Sequence, residues 1–189
     1  MQMLDKVLKE IDPKVSSKKP ERKPDSKEKN VIALDQKLAE GLADEIDRHQ
    51  CSMYVLYHQY QKHHWLVEGP QFRDLHLYLE ASYGAVQKDL DALAERMTFL
   101  GGIPTSSPTA LAKKSYIEHE PEGFFPIRTM LENDLAAEQI LCQTLRTTIA
   151  AARKGQDFGT ARLLEHVLEG CEDRAHHLDH YLAEDGLRA

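Results

Sequence analysis

Four long stretches of this chain repeat their apolar residues every three or four positions. That period, held for roughly 25 residues at a time, suits amphipathic helices packed side by side and no sheet. The first stripe is Leu34, Leu38, Leu42, Ile46, Met53, Leu56 and Tyr60, on a helix expected to end near Val67, because Gly69-Pro70 stops it. The second is Phe72, Leu75, Leu79, Tyr83, Val86, Leu90, Leu93, Met97 and Leu100, closed by Gly101-Gly102 with Pro104 behind them. A third, Ile127, Leu131, Leu135, Leu141, Leu145 and Ile149, follows Pro126 and stops at Gly155, and a fourth helix is expected from about Thr160 to Leu182. At 1.5 Å per residue each helix is about 40 Å long. The links run short, long, short. Residues 103–125 form the long one, with Pro and Ser turns and one or two helical turns between Pro108 and Tyr116. Such an order predicts an all-α four-helix bundle whose central crossover travels the full bundle length.

A chain of 189 residues, 41% hydrophobic and 29% charged, is enough for one domain with a real core, placed at residues 31–189. Residues 1–30 read as a flexible Lys/Pro/Ser-rich tail, with nine Lys or Arg against six acids, and from Pro13 onward almost nothing to bury. The tail is therefore +3 within a chain of formal charge −7. Even ten protonated histidines would bring the whole chain only to +3, which excludes a uniformly basic nucleic-acid binder and suits metal cations better. Cys51, Cys142 and Cys171 lie far apart without CxxC spacing, as buried thiols do in a reducing compartment. No apolar run has membrane-spanning length and no signal-peptide core opens the chain, so the protein is expected in the cytoplasm, away from membranes.

The chemistry sits on the first two helices. His64 falls four residues after Tyr60 and continues the inward stripe. His76 and Glu80, then Asp91 and Glu95, form two i,i+4 pairs on the second helix. Taken singly, each pair reads as an ordinary solvated pair and His64 as a satisfied core residue. Eleven residues separate Glu80 from Asp91, three turns, so they share a face about 16 Å apart along the axis. One ion cannot touch both within a chain. Either there are two metal sites, or one site at a symmetric interface takes the start of the helix from one chain and its end from an antiparallel copy. Imidazole with carboxylate and no thiolate points to Fe(II), Mn or Zn.

The stretch His64-Trp65-Leu66-Val67-Glu68-Gly69-Pro70-Gln71-Phe72, then Leu75-His76 and Glu80, Asp91, Ala94-Glu95-Arg96 and Leu100-Gly101-Gly102-Ile103-Pro104, resembles the signature of the Dps miniferritins. The resemblance covers about Leu34 to Leu182. It implies a ferritin-like four-helix bundle with a short extra helix in the crossover, assembled as a hollow dodecamer. It also implies an intersubunit ferroxidase centre with His64, His76 and Glu80 from one subunit facing Asp91 and Glu95 from the other. The activity implied is iron storage and detoxification: oxidation of Fe(II) by hydrogen peroxide, or by oxygen, with ferric mineral held in the shell as protection against oxidative stress. Trp65 is similar to the family's tryptophan beside the iron, in a radical-quenching or a packing role. The competing implication is a nucleoid-compacting DNA-binding protein with weak or absent ferroxidase activity, acting through the +3 tail, although six interspersed acids weaken phosphate attraction.

Two features depart from that pattern. Arg162 stands where an acid lining an iron-uptake pore is expected, leaving Asp157 and Glu165 as weak candidates. The fourth helix carries two rails, Glu172, His176, His180 and Asp173, His177, with His166 further back. These read as a solvated face or as an auxiliary metal site, such as one for zinc.

Overall fold

The computed structural model describes residues 19–183, and every element found there is helical: α1 (Gln36–Leu66), α2 (Phe72–Phe99), α3 (Pro108–Lys114), α4 (Ile127–Lys154) and α5 (Phe158–Leu182). The carboxylates of Asp35 and Asp157 cap α1 and α5 by accepting from the Leu38 and Thr160 amides at 2.9 and 3.0 Å. At the end of α2, Gly101 takes φ +86°, and the amides of Gly101 and Gly102 return to the carbonyls of Thr98 and Met97 at 3.0 Å each. Those two bonds satisfy carbonyls that the helix leaves without partners.

Helix α1 packs along α2, and α4 along α5, as two hairpins. The hairpins meet antiparallel: His49 reaches Thr148 while Tyr60 reaches Glu138 across α1 and α4, and Tyr78 reaches Arg174 while Arg96 reaches Thr160 across α2 and α5. Ile46, Leu56, Val86, Leu93, Leu141, Leu145, Leu164 and Leu178 are fully buried between them. The crossover is pinned at both ends by buried acids. Asp47 accepts from the Thr105 amide and hydroxyl and from Lys114 at 2.6–2.9 Å, and Glu120 receives Lys62 at 2.5 Å and Asn133 at 2.8 Å. Those anchors make the crossover climb the length of α1. The folded chain is thus the all-α, ferritin-like bundle with a short crossover helix that the apolar period and the resemblance led us to expect.

Helix α4 ends at Lys154 with Gly155 as its C-cap, as expected, and the left-handed residue is the next one, Gln156, at φ +62°. Gly155 also lies close under Leu38, where α4 crosses the start of α1: a Cβ there would stand 2.3 Å from Cδ2 of Leu38, so that side chain would have to move. Phe72, expected in the buried stripe, is 45% exposed, because it opens α2 at the rim and lays its ring against His76. Of the segment read as a tail, residues 1–18 lie outside the described residues. Residues 19–30 lie on the body: Arg22 and the Glu28 amide both donate to the Gly101 carbonyl at 2.8 and 2.9 Å, and Lys27 pairs with Asp44 at 2.6 Å.

Candidate metal centre

The α1–α2 hairpin is closed by two histidines. His64 sits in the last turn of α1 and His76 in the second turn of α2, and the five-residue link brings their rings into a stack, 3.7 Å between centroids and 20° between planes. Each ring places Nδ1 2.9 Å from the backbone carbonyl of the other. A carbonyl can only accept, so Nδ1 carries the proton in both rings, and each Nε2 keeps a lone pair for a metal ion. The His64 carbonyl belongs to the turn whose acceptors have no intrahelical partner, so the same contact satisfies a backbone group.

Aromatic rings fix the pair from both sides. Phe72 lies 4.9 Å from His76, and Tyr83 presents its edge to His64 at 5.4 Å and to Tyr57 at 5.8 Å. Burial and the Glu80 carboxylate raise the Tyr83 phenol, so it stays protonated. Tyr83 belongs to the apolar stripe of α2, and it falls seven positions after His76, two turns along the same face, a spacing that marks it as a neighbour of the site.

Behind the pair, His63 points into the core. Its Nδ1 meets Asp134 at 2.8 Å and its Nε2 lies 3.0 Å from Glu120. Burial alone would lower the His63 pKa, but the two carboxylates outweigh it and raise it. Glu120 is held below the usual range: burial opposes ionisation, but Lys62 and Asn133 donate to it and the His63 ring lies beside it.

Glu80 lies one turn beyond His76 and is exposed. Asp91 and Glu95 are also exposed, further along the same unbroken α2. The five expected ligands are therefore not brought together in one chain: among the described residues there is no group of three or more His, Cys, Asp or Glu side chains placed to share a metal. Three large apolar side chains near the histidines in sequence, Trp65, Phe72 and Leu77, are exposed at 67%, 45% and 51%, among the exposed polar residues Glu68, Gln71, Arg73, Asp74 and Glu80. Trp65 itself borders a groove with His58, Lys62, His119 and Phe124.

Elsewhere, Asp157 is buried and committed to Arg96 at 2.7 Å and to Thr160, and Glu165 to Arg153 at 2.5 Å, whereas Arg162 is exposed. Of the two acids considered for a pore, Asp157 is held in a buried pair and Glu165 in a surface one. His166, His176, His177 and His180 are all exposed on α5. All three cysteines are buried and free, and burial raises each thiol. No helix among the described residues is long and apolar enough to cross a membrane.

Comparison with known proteins places this geometry in a lineage. A family model described as a ferritin-like domain matches residues 43–187. The nutrient stress-induced DNA-binding protein of Synechococcus is 42% identical over 161 residues, covering 85% of this chain and 92% of that one. The crystal structure of an archaeal Dps homologue from Halobacterium salinarum superposes with a TM-score of 0.87 at 37% identity, covering 92% of this chain and 97% of that one. A Dps protein from Vibrio cholerae, described as a member of a broad superfamily of ferritin-like diiron-carboxylate proteins, superposes with a TM-score of 0.78 at 25% identity, covering 82% and 97%. The chain belongs to the ferritin-like proteins, and within them to the Dps miniferritin family.

Proposed function

We propose that this protein stores and detoxifies iron, oxidising Fe(II) at centres completed by a second subunit. His64, His76 and Glu80 of one chain would face Asp91 and Glu95 of the partner subunit, in a hollow dodecamer that retains the ferric product. The observation that carries this reading is the reciprocal His64–His76 clamp, which commits both Nδ1 atoms to backbone and leaves both Nε2 atoms to a metal. The exposed carboxylates Asp91 and Glu95 on the same helix, too distant to join that pair within one chain, and the exposed ring of Phe72 against His76 support a shared interface.

Fe(II) is the substrate. Each ion surrenders one electron; hydrogen peroxide takes two, its O–O bond breaks, and the oxygens leave as water or hydroxide. With oxygen as oxidant, four Fe(II) ions reduce one molecule to water. The imidazoles would bind the ion through Nε2, while the carboxylates favour Fe(III) over Fe(II) through their charge. The test follows Fe(II) oxidation by absorbance, with peroxide and with oxygen, in wild type and Asp91→Ala. The variant should lose most of its rate; equal rates would refute the centre.

A second reading has one observation behind it, the DNA-binding name of the Synechococcus relative. Here Arg22 and Lys27 of the N-terminal segment are already committed to Glu28 and Asp44, which leaves fewer cations for phosphate. A gel shift at low salt, comparing the full chain with a deletion of residues 1–30, decides it: no shift in either ends this reading.

A further inference from the structure

The geometry points to a second metal site, distinct from the iron centre, in which His176 and His180 of α5 chelate one borderline divalent transition-metal ion such as Zn(II) or Cu(II). The two residues are i,i+4 neighbours on the exposed side of the helix, and their rings already face each other, 4.2 Å between centroids and 61° between planes. Ring nitrogens hold such ions at about 2.0–2.1 Å, so rotation of two exposed side chains closes the pair on one ion without moving the backbone.

The other polar groups of α5 are differently placed. The Nδ1 of His177 lies 2.9 Å from its own Asp173 carbonyl, and the ring rests near Tyr78 at 5.9 Å. His166 has Glu169 at 3.8 Å and no second imidazole beside it. Glu172, one turn before His176, is paired with Arg146 at 2.5 Å. His176 and His180 occupy the last two turns of α5, where the negative end of the helix dipole favours a cation. Two neutral imidazoles without a thiolate select Zn(II) or Cu(II) over Mg(II) and Ca(II), which prefer oxygen. Water fills the remaining positions.

The experiment separates this site from the iron centre. Full-length protein carrying His64→Ala and His76→Ala is stripped of metal and dialysed against Zn(II) with excess Mg(II), and bound zinc is counted. Adding His176→Ala and His180→Ala should remove one zinc per chain, whereas adding His166→Ala and His177→Ala should remove none. Cu(II) bound to the parent should show nitrogen superhyperfine splitting from two imidazoles in its paramagnetic resonance spectrum, lost in the His176→Ala, His180→Ala protein. An unchanged zinc count, or equal loss in the two sets of variants, overturns the proposal. Asp91→Ala in the wild-type background stops iron oxidation but leaves this zinc in place, so either reading can fail without the other.

Discussion

At the scale of single residues, the fold places demands that two substitutions expose. Gly101 holds φ +86°, and a Cβ there would come within 2.2 Å of the Glu28 carbonyl oxygen. Gly101→Ala therefore strains the turn and pushes the N-terminal segment away, at an expected loss of about 1–3 kcal/mol visible as a lower Tm. His49 is buried, with its ring between the Tyr116 hydroxyl at 2.6 Å and Thr148 at 2.8 Å. Burial first, and the Arg48 charge second, push its pKa down to about 4. The unfolded chain, with an ordinary histidine pKa near 6.5, binds a proton that the native state refuses between those values. Stability therefore falls as pH falls from about 6.5 toward 4, and at pH 5 this group alone should cost about 2 kcal/mol. Denaturation of wild type and His49→Gln at pH 7.5 and pH 5 checks this. The wild type should lose the larger amount, and parallel losses would contradict the assignment.

Among elements, the contact that decides how α5 begins comes from α2. Arg96, in the motif that first suggested a metal centre, donates Nε to Thr160 at 2.8 Å and Nη2 to Asp157 at 2.7 Å. Asp157 is in turn the N-cap of α5. Removing the guanidinium would leave a buried carboxylate unpaired at a helix start, a change that costs about 3–5 kcal/mol when a buried pair is broken. Arg96→Ala should melt well below wild type, and Arg96→Lys, which keeps the charge but not the fork, should recover only part of the difference. An Arg96→Ala protein as stable as wild type would show that the cap stands without its cation.

For the whole molecule, the question is whether the ligands belong to one chain or two. A His64→Ala, His76→Ala protein lacks the imidazoles, and an Asp91→Ala, Glu95→Ala protein lacks the acids. If the centre is shared across a two-fold axis, dissociating and reassembling the two in equal amounts restores one intact site in each mixed pair, and so about a quarter of wild-type oxidation. A centre built within single chains would restore none.

The stripes on all four long helices, and the stops at Gly69-Pro70 and Gly101, were legible because they are local: a helix that buries one face must repeat its apolar residues every three or four positions. His64, His76, Glu80, Asp91 and Glu95 could be marked as candidates by spacing and family resemblance. What they do to one another could not be marked. Residues twelve positions apart met as a stacked, reciprocally bonded pair only because the hairpin closes where it does. Gly155 was legible as a stop, but its close approach to the Leu38 side chain, more than a hundred residues away, was not. The sequence by itself determined which segments are helices, which face of each is apolar, and which side chains could ligate a metal. The tertiary structure alone decided the reciprocal pairing of His64 with His76 and the engagement of Asp157 by Arg96. Those outcomes depend on contacts between elements, and no periodicity along the chain encodes them.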